Sequence, residues 1–284
     1  MTRRTLFVTL CLVPYFAVGA IGAVGCGRGN TNLPAPGSID ADKYLHDHGM
    51  DSLQRRRWLE AREYFRRLID SYPQSQYRQD AKLGVGDTYL GEDSIESNIL
   101  AVNEFKEFLQ FYPGHQRTDY AQYRVAVAYT NQMLGPERDP QPALDALSAA
   151  DLFLQNYPDS QLKPEVLKVR RQALDVLSGH DYKVGLFYFR LSWFPGAIER
   201  FKPLLEKDPE FPGRDAVYYY LGESYRGLKS DVQALPYYDR VIKEFEKSDY
   251  LERAQKRIAE IGTPAPAAAA PPPTTTAAPA SATP

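Results

Sequence analysis

The chain has 284 residues, 43% hydrophobic and 25% charged, with 34 basic against 36 acidic side chains and a net charge of −2. That balance excludes a global basic field able to hold nucleic acid. The only two cysteines, Cys11 and Cys26, exclude a disulfide framework and a thiolate zinc site in the domain that follows them.

MTRR places Arg3 and Arg4 ahead of a charge-free run from Thr5 to Gly25. The run is long enough for a membrane span. Pro14 interrupts it, however, its last third is small residues, and a cysteine follows at once. Residues 1–25 therefore read as a cleaved signal peptide; an uncleaved transmembrane anchor is the alternative. Either way the domain lies outside the cytoplasm, tied to a membrane. Ala23-Val24-Gly25-Cys26 resembles a bacterial lipobox. Its small side chains give a peptidase access to the backbone, and the Cys26 thiol is the expected acceptor of the diacylglycerol. Gly27 stands where an aspartate would signal inner-membrane retention, which favours the outer membrane. Residues 26–39 are rich in Gly, Asn, Pro and Ser and read as a flexible tether.

Residues 40–261 form the expected domain. Tyr72-Pro73, Tyr112-Pro113, Tyr157-Pro158 and Asp208-Pro209 mark four helix stops, the prolines 40, 45 and 51 residues apart. Proline lacks an N–H and clashes with the preceding turn, so it is expected to end each helix. The aromatic before it is expected to pack on the neighbouring unit. The units share small and aromatic residues at fixed offsets. The first has Ala61 and Phe65; the second has Gly86, Tyr89, Ala101 and Phe105. The third is looser, with Tyr129 and Ala146 around a longer connection. The fourth has Gly185, Tyr188, Ala197 and Phe201, and the fifth Leu221, Gly222, Tyr225, Ala234, Tyr238 and Val241. These are tetratricopeptide offsets. They predict an all-α solenoid of five helical hairpins, with extra helical turns at 163–178 and 249–261. Residues 262–284 are Pro, Ala and Thr without charge and read as a disordered tail.

Little in the chain points to catalysis or metal binding. His46 and His48 are two apart on a helix and face different ways, His115 lies in a Pro-Gly turn, and His180 sits where a helix would open. No pair has metal spacing, and no nucleophile elbow or phosphate loop is present. No cofactor is expected. Six arginines, Arg55, Arg56, Arg57, Arg62, Arg66 and Arg67, cluster in the first unit, either as a solvated face or as a contact for anionic lipid or an acidic partner. Helical offsets place His46, Asp80, Leu83, Asp87, Tyr120, Tyr123 and Asn131 on the inward face of the early first helices.

Three stretches go beyond a generic repeat: LIDSYPQSQYRQDA (68–81), ERDPQPALDALSAADLFLQNYPDSQ (137–161) and HDYKVGLFYFRLSWFPGAIERF (180–201). They resemble the BamD family, lipoprotein subunits of the β-barrel assembly machine of Gram-negative outer membranes. The resemblance implies a non-enzymatic protein, lipid-anchored on the periplasmic face of the outer membrane. It would dock on the periplasmic domains of the barrel-forming subunit and receive unfolded β-barrel precursors, those inward residues then lining the groove. It also makes the fourth unit's second helix partner-facing, with Arg200 on it either as the contact or as a solvated side chain. The runner-up is another envelope tetratricopeptide lipoprotein, such as a secretin pilotin or a coordinator of cell-wall constriction.

Overall fold

A computed structural model describes Ser38 and residues 40–262. The signal segment, Cys26, nearly all of the tether and, Gly262 apart, the tail lie outside the described residues. Among the described residues there are eleven helices and no strand: α1 Ala41–Gln54, α2 Trp58–Ser71, α3 Arg78–Glu92, α4 Ile95–Phe111, α5 Thr118–Asn131, α6 Gln141–Asn156, α7 Lys163–Arg190, α8 Phe194–Lys207, α9 Arg214–Gly227, α10 Asp231–Glu244 and α11 Leu251–Gly262. From α2 onward each helix packs on the next in the chain. That is the nearest-neighbour arrangement of a tetratricopeptide solenoid, and α11 lies against α10 at its end.

The hairpins close by one repeated device. Phe65, Phe105, Phe201 and Tyr238 are fully buried, and each ring lies against a glycine of the preceding helix: Gly49, Gly86, Gly185 and Gly222. Burying such a ring contributes about 1.5–3 kcal/mol. In the third hairpin the corresponding positions are Ala126 and Ala150, both fully buried. A methyl on each side replaces a ring against a bare backbone, so the looser-looking unit is a volume exchange.

The turns between paired helices share a second device. Arg56, Asp93, Ser192 and Lys229 occupy the left-handed region, φ 53° to 59°, one in each hairpin but the third. The helix stops are equally uniform. Tyr72, Tyr112, Tyr157, Asp208 and Phe245 have φ between −128° and −135°. Each donates its N–H to the carbonyl four residues back. The residue after Phe245 is Glu246, not proline, so the stop does not depend on proline. Nor does the aromatic reach the next unit in the clearest case: the Tyr112 hydroxyl accepts from Arg78 of its own hairpin at 2.5 Å, and the ring lies 5.3 Å from Phe108.

The loop itself supplies a clasp. Ser75, Ser160 and Ser248 donate to Asp42, Asp119 and Asp215, each at 2.6 Å. The same hydroxyls accept from the N–H groups of Tyr77, Leu162 and Tyr250. Each serine therefore ties a hairpin's end to its first turn and serves an orphan donor ahead of the next helix. Ser75→Ala is expected to cost about 1 kcal/mol, read as a lower urea midpoint at unchanged slope; an unchanged midpoint would mean the backbone turn holds alone.

One expected boundary is absent. The extra turns at 163–178 and the opening of the fourth hairpin at His180 are a single 28-residue helix, α7. No proline interrupts its interior, and a glycine costs only about 1 kcal/mol there. Gly179 and His180 instead seat the α5–α6 connection. A Cβ on Gly179 would lie 2.9 Å from Pro136 Cγ, and His180 Nδ1–H donates to the Pro136 carbonyl at 2.9 Å. Lys183 pairs with Glu137 beside them.

Candidate peptide-binding face

The first helices of the second and third hairpins are joined side by side through charged groups. The Asp87 carboxylate on α3 accepts from the Tyr120 hydroxyl at 2.8 and 3.0 Å and from Arg124 Nε at 2.9 Å, both on α5. Arg117, ahead of α5, lies 4.5 Å over the Tyr120 ring and reaches back to Asp80 at 3.3 Å. This hairpin lacks the clasp: Gln79 stands seven residues before Gly86, where Asp119 stands before Ala126 and Asp215 before Gly222. His115 stands where three of the other loops carry serine, and its Nδ1 accepts from the Arg117 N–H at 3.2 Å. Burial pushes the Asp87 carboxyl above the ordinary range, against the pull of Arg124 and Tyr120. Burial, then the Asp87 charge, raises the Tyr120 phenol.

Of the seven residues the offsets select, Asp80, Asp87 and Tyr120 therefore meet in one network. Tyr123, one turn beyond Tyr120, is half-buried. His46 stacks on Tyr77 at 4.8 Å, while His48 turns away to Tyr44 and Tyr64. Asn131 is exposed at the far end of α5 and bonds Asn98 at 3.3 Å, apart from the network. Leu83 is a correction: it is fully buried, so no segment can touch it without local opening. Its offset is inward, but neighbouring helices cover an aliphatic side chain there. Offsets alone missed Arg117 and Arg124. The signal for Arg124 was its place one turn beyond Tyr120, opposite an inward carboxylate.

Farther along, aromatic rings pack α7, α9 and the residue ahead of α11 together. The Tyr219 and Tyr250 rings lie 4.9 Å apart, Tyr220 and Tyr250 5.7 Å, and Phe189 and Tyr220 5.0 Å. Burial, with a hydrogen bond to Tyr250, pushes the Tyr220 phenol up to about 12. The run of three tyrosines at 218–220 was the readable sign. The early first helices thus offer paired charges around Tyr120, and the later ones are joined by packed rings. Among the described residues no group of His, Cys, Asp or Glu could hold a metal ion.

The partner residue proposed on α8 is exposed. Arg200 Nη1 lies 3.8 Å from Asp181 Oδ1, beyond hydrogen-bond length. In the arginine cluster Arg62 is held by Thr88 and Glu92, and Arg66 by the Tyr89 hydroxyl. Arg55, Arg56, Arg57 and Arg67 are exposed.

Residues 216–248 match the tetratricopeptide-repeat family. An outer membrane protein assembly factor BamD of Caulobacter vibrioides is 28% identical over 182 residues, covering 64% of this chain. The match spans 58% of that relative's own length, less than two thirds. A BamD of Xylella fastidiosa is 25% identical over 236 residues, covering 80% of this chain and 79% of its own. Among solved structures, the TPR2AB domain of yeast Sti1 in complex with pHSP90 is similar over 78% of this chain and 82% of its own, at 12% identity and TM-score 0.42, too distant to carry an argument. No described helix is long and apolar enough to cross a membrane. Residues 40–229 match YfiO, the outer membrane lipoprotein family, and with two thirds of its length in that match the chain belongs to this family.

Proposed function

We propose that the protein is a non-enzymatic scaffold of the β-barrel assembly machine, held by a lipid on Cys26 at the periplasmic face of the outer membrane. It binds the periplasmic domains of the barrel-forming subunit and receives unfolded outer-membrane-protein precursors. The observation that carries this reading is that its relatives from Caulobacter and Xylella are named outer membrane protein assembly factors. Precursors lie as extended segments along the first-helix face, over His46, Asp80, Tyr120 and Tyr123. Asp87 acts from below by holding Tyr120 in place, and Asn131 marks the far end. A chain face of tyrosines and paired charges suits an alternating apolar and polar strand.

The α8 face supplies the contact to the barrel-forming subunit. Arg200 is exposed and its ion pair with Asp181, at 3.8 Å, is too long for a hydrogen bond, so its planar guanidinium keeps donors for a carboxylate on a partner. Arg200→Glu is expected to leave melting within about 0.5 kcal/mol of the native protein. Capture of the barrel-forming subunit from solubilised envelope should weaken by about 2–5 kcal/mol. Intact capture by a folded variant would remove this face from the interface. Depletion separates the reading from a pilotin: many barrel proteins are lost together here, and a single secretin there.

A further inference from the structure

Exposed apolar side chains stand at or beside two adjacent turns, α7–α8 and α9–α10. Phe187 is 57% exposed, Leu191 63%, Trp193 50% and Val232 83%. The turns touch, because the Phe194 ring lies against the bare backbone of Gly227. Two cations flank the patch: Arg190 and Lys229 are exposed, and among the described residues neither head group is in an ion pair. The nearby carboxylate of Asp231 is already engaged, 3.5 Å from Arg226. Left-handed turn residues, Ser192 and Lys229, make both corners tight, so the side chains project from knuckles and do not line a cleft.

We propose that this double turn rests on the anionic inner surface of the membrane to which the protein is anchored, with Trp193, Leu191 and Val232 entering the headgroup boundary and Arg190 and Lys229 meeting lipid phosphates. Three observations favour a lipid surface over a protein partner. Protruding apolar side chains beside an interfacial tryptophan suit a soft, amphipathic boundary. The unpaired charges at the patch are cationic, complementary to anionic lipid. A member of an outer membrane lipoprotein family works beside that surface.

The test uses the full lipidated chain with Trp58→Phe, which leaves Trp193 as the only one of the two tryptophans. The protein is reconstituted in vesicles of phosphatidylethanolamine and phosphatidylglycerol, with acyl chains brominated or plain. Brominated chains are expected to quench Trp193 and place it about 5–10 Å below the headgroup boundary. Arg190→Ala with Lys229→Ala is checked in an unlipidated Cys26→Ser chain, where sedimentation with the same vesicles should fall about tenfold at unchanged helicity. Identical Trp193 emission in plain and brominated vesicles overturns the proposal. So does sedimentation indifferent to the double substitution. If Leu191→Asp abolishes capture of the barrel-forming subunit while quenching is absent, the patch is a protein contact and the lipid assignment fails.

Discussion

Gly222→Leu is expected to open the last hairpin while leaving the early ones closed. A Cβ at this position would sit 2.5 Å from Tyr238 Cε1, and Tyr238 is fully buried. The ring cannot swing away freely, because its hydroxyl donates to Glu223 at 2.5 Å. Glu223 is in turn held by Arg257 of α11 at 2.8 and 3.0 Å. Overpacking of this kind costs about 1–3 kcal/mol for added methylenes alone, and the lost tie to α11 adds to it. Because contacts run between neighbours, the damage should fall on α9, α10 and α11. Hydrogen exchange measures it: protection lost there and kept in α2–α5 is the expected pattern, and uniform loss would mean a single cooperative core.

Removing Asp208 should be the most damaging single loss of a charge. Its side chain is 2% exposed, and it accepts from Arg171 at 2.8 and 2.5 Å and from Ser178 at 2.7 Å. It is the fourth hairpin's clasp in another form, with Phe211 where serine stands in three other loops. Asp208→Ala leaves the Arg171 guanidinium without its main partner, a cost of about 3 kcal/mol, held to that by Arg171's remaining pair with Asp175 at 2.9 Å. Thermal and urea unfolding would record it, and a loss under about 1 kcal/mol would show that solvent replaces the carboxylate. The pH dependence has a definite sign. Burial pushes the Asp208 carboxyl up, but the bonds from Arg171 and Ser178 outweigh it and hold the group below the usual range. Its contribution is therefore complete above the unfolded carboxylate value of about 4 and is lost as pH falls below it through the folded value. Asp208→Asn should flatten that acid limb of the stability curve.

The repeat offsets determined most of the architecture, because packing at a helix crossing needs a bare backbone under each ring and leaves that need written at fixed spacing. Gly86 with Phe105, Gly185 with Phe201 and Gly222 with Tyr238 were legible for this reason. The family stretches were also legible at 68–81, 137–161 and 180–201, within the span that matches the family. The helix stops were read from proline, yet Phe245 stops in the same geometry before Glu246; what recurs is a serine reaching back to an aspartate more than thirty residues earlier. The boundary at His180 failed because the chain runs through it as one helix, with Gly179 and His180 seating Pro136. The seven inward residues share a face by offset, but burial is a property of what lies across from a helix. That is why Leu83 is closed in the core, Asp87 is clamped under Tyr120, and Arg124, absent from the offsets, completes the network. A sequence fixes which side of a helix a residue occupies; only the neighbouring helices decide whether that side is surface, seam or core.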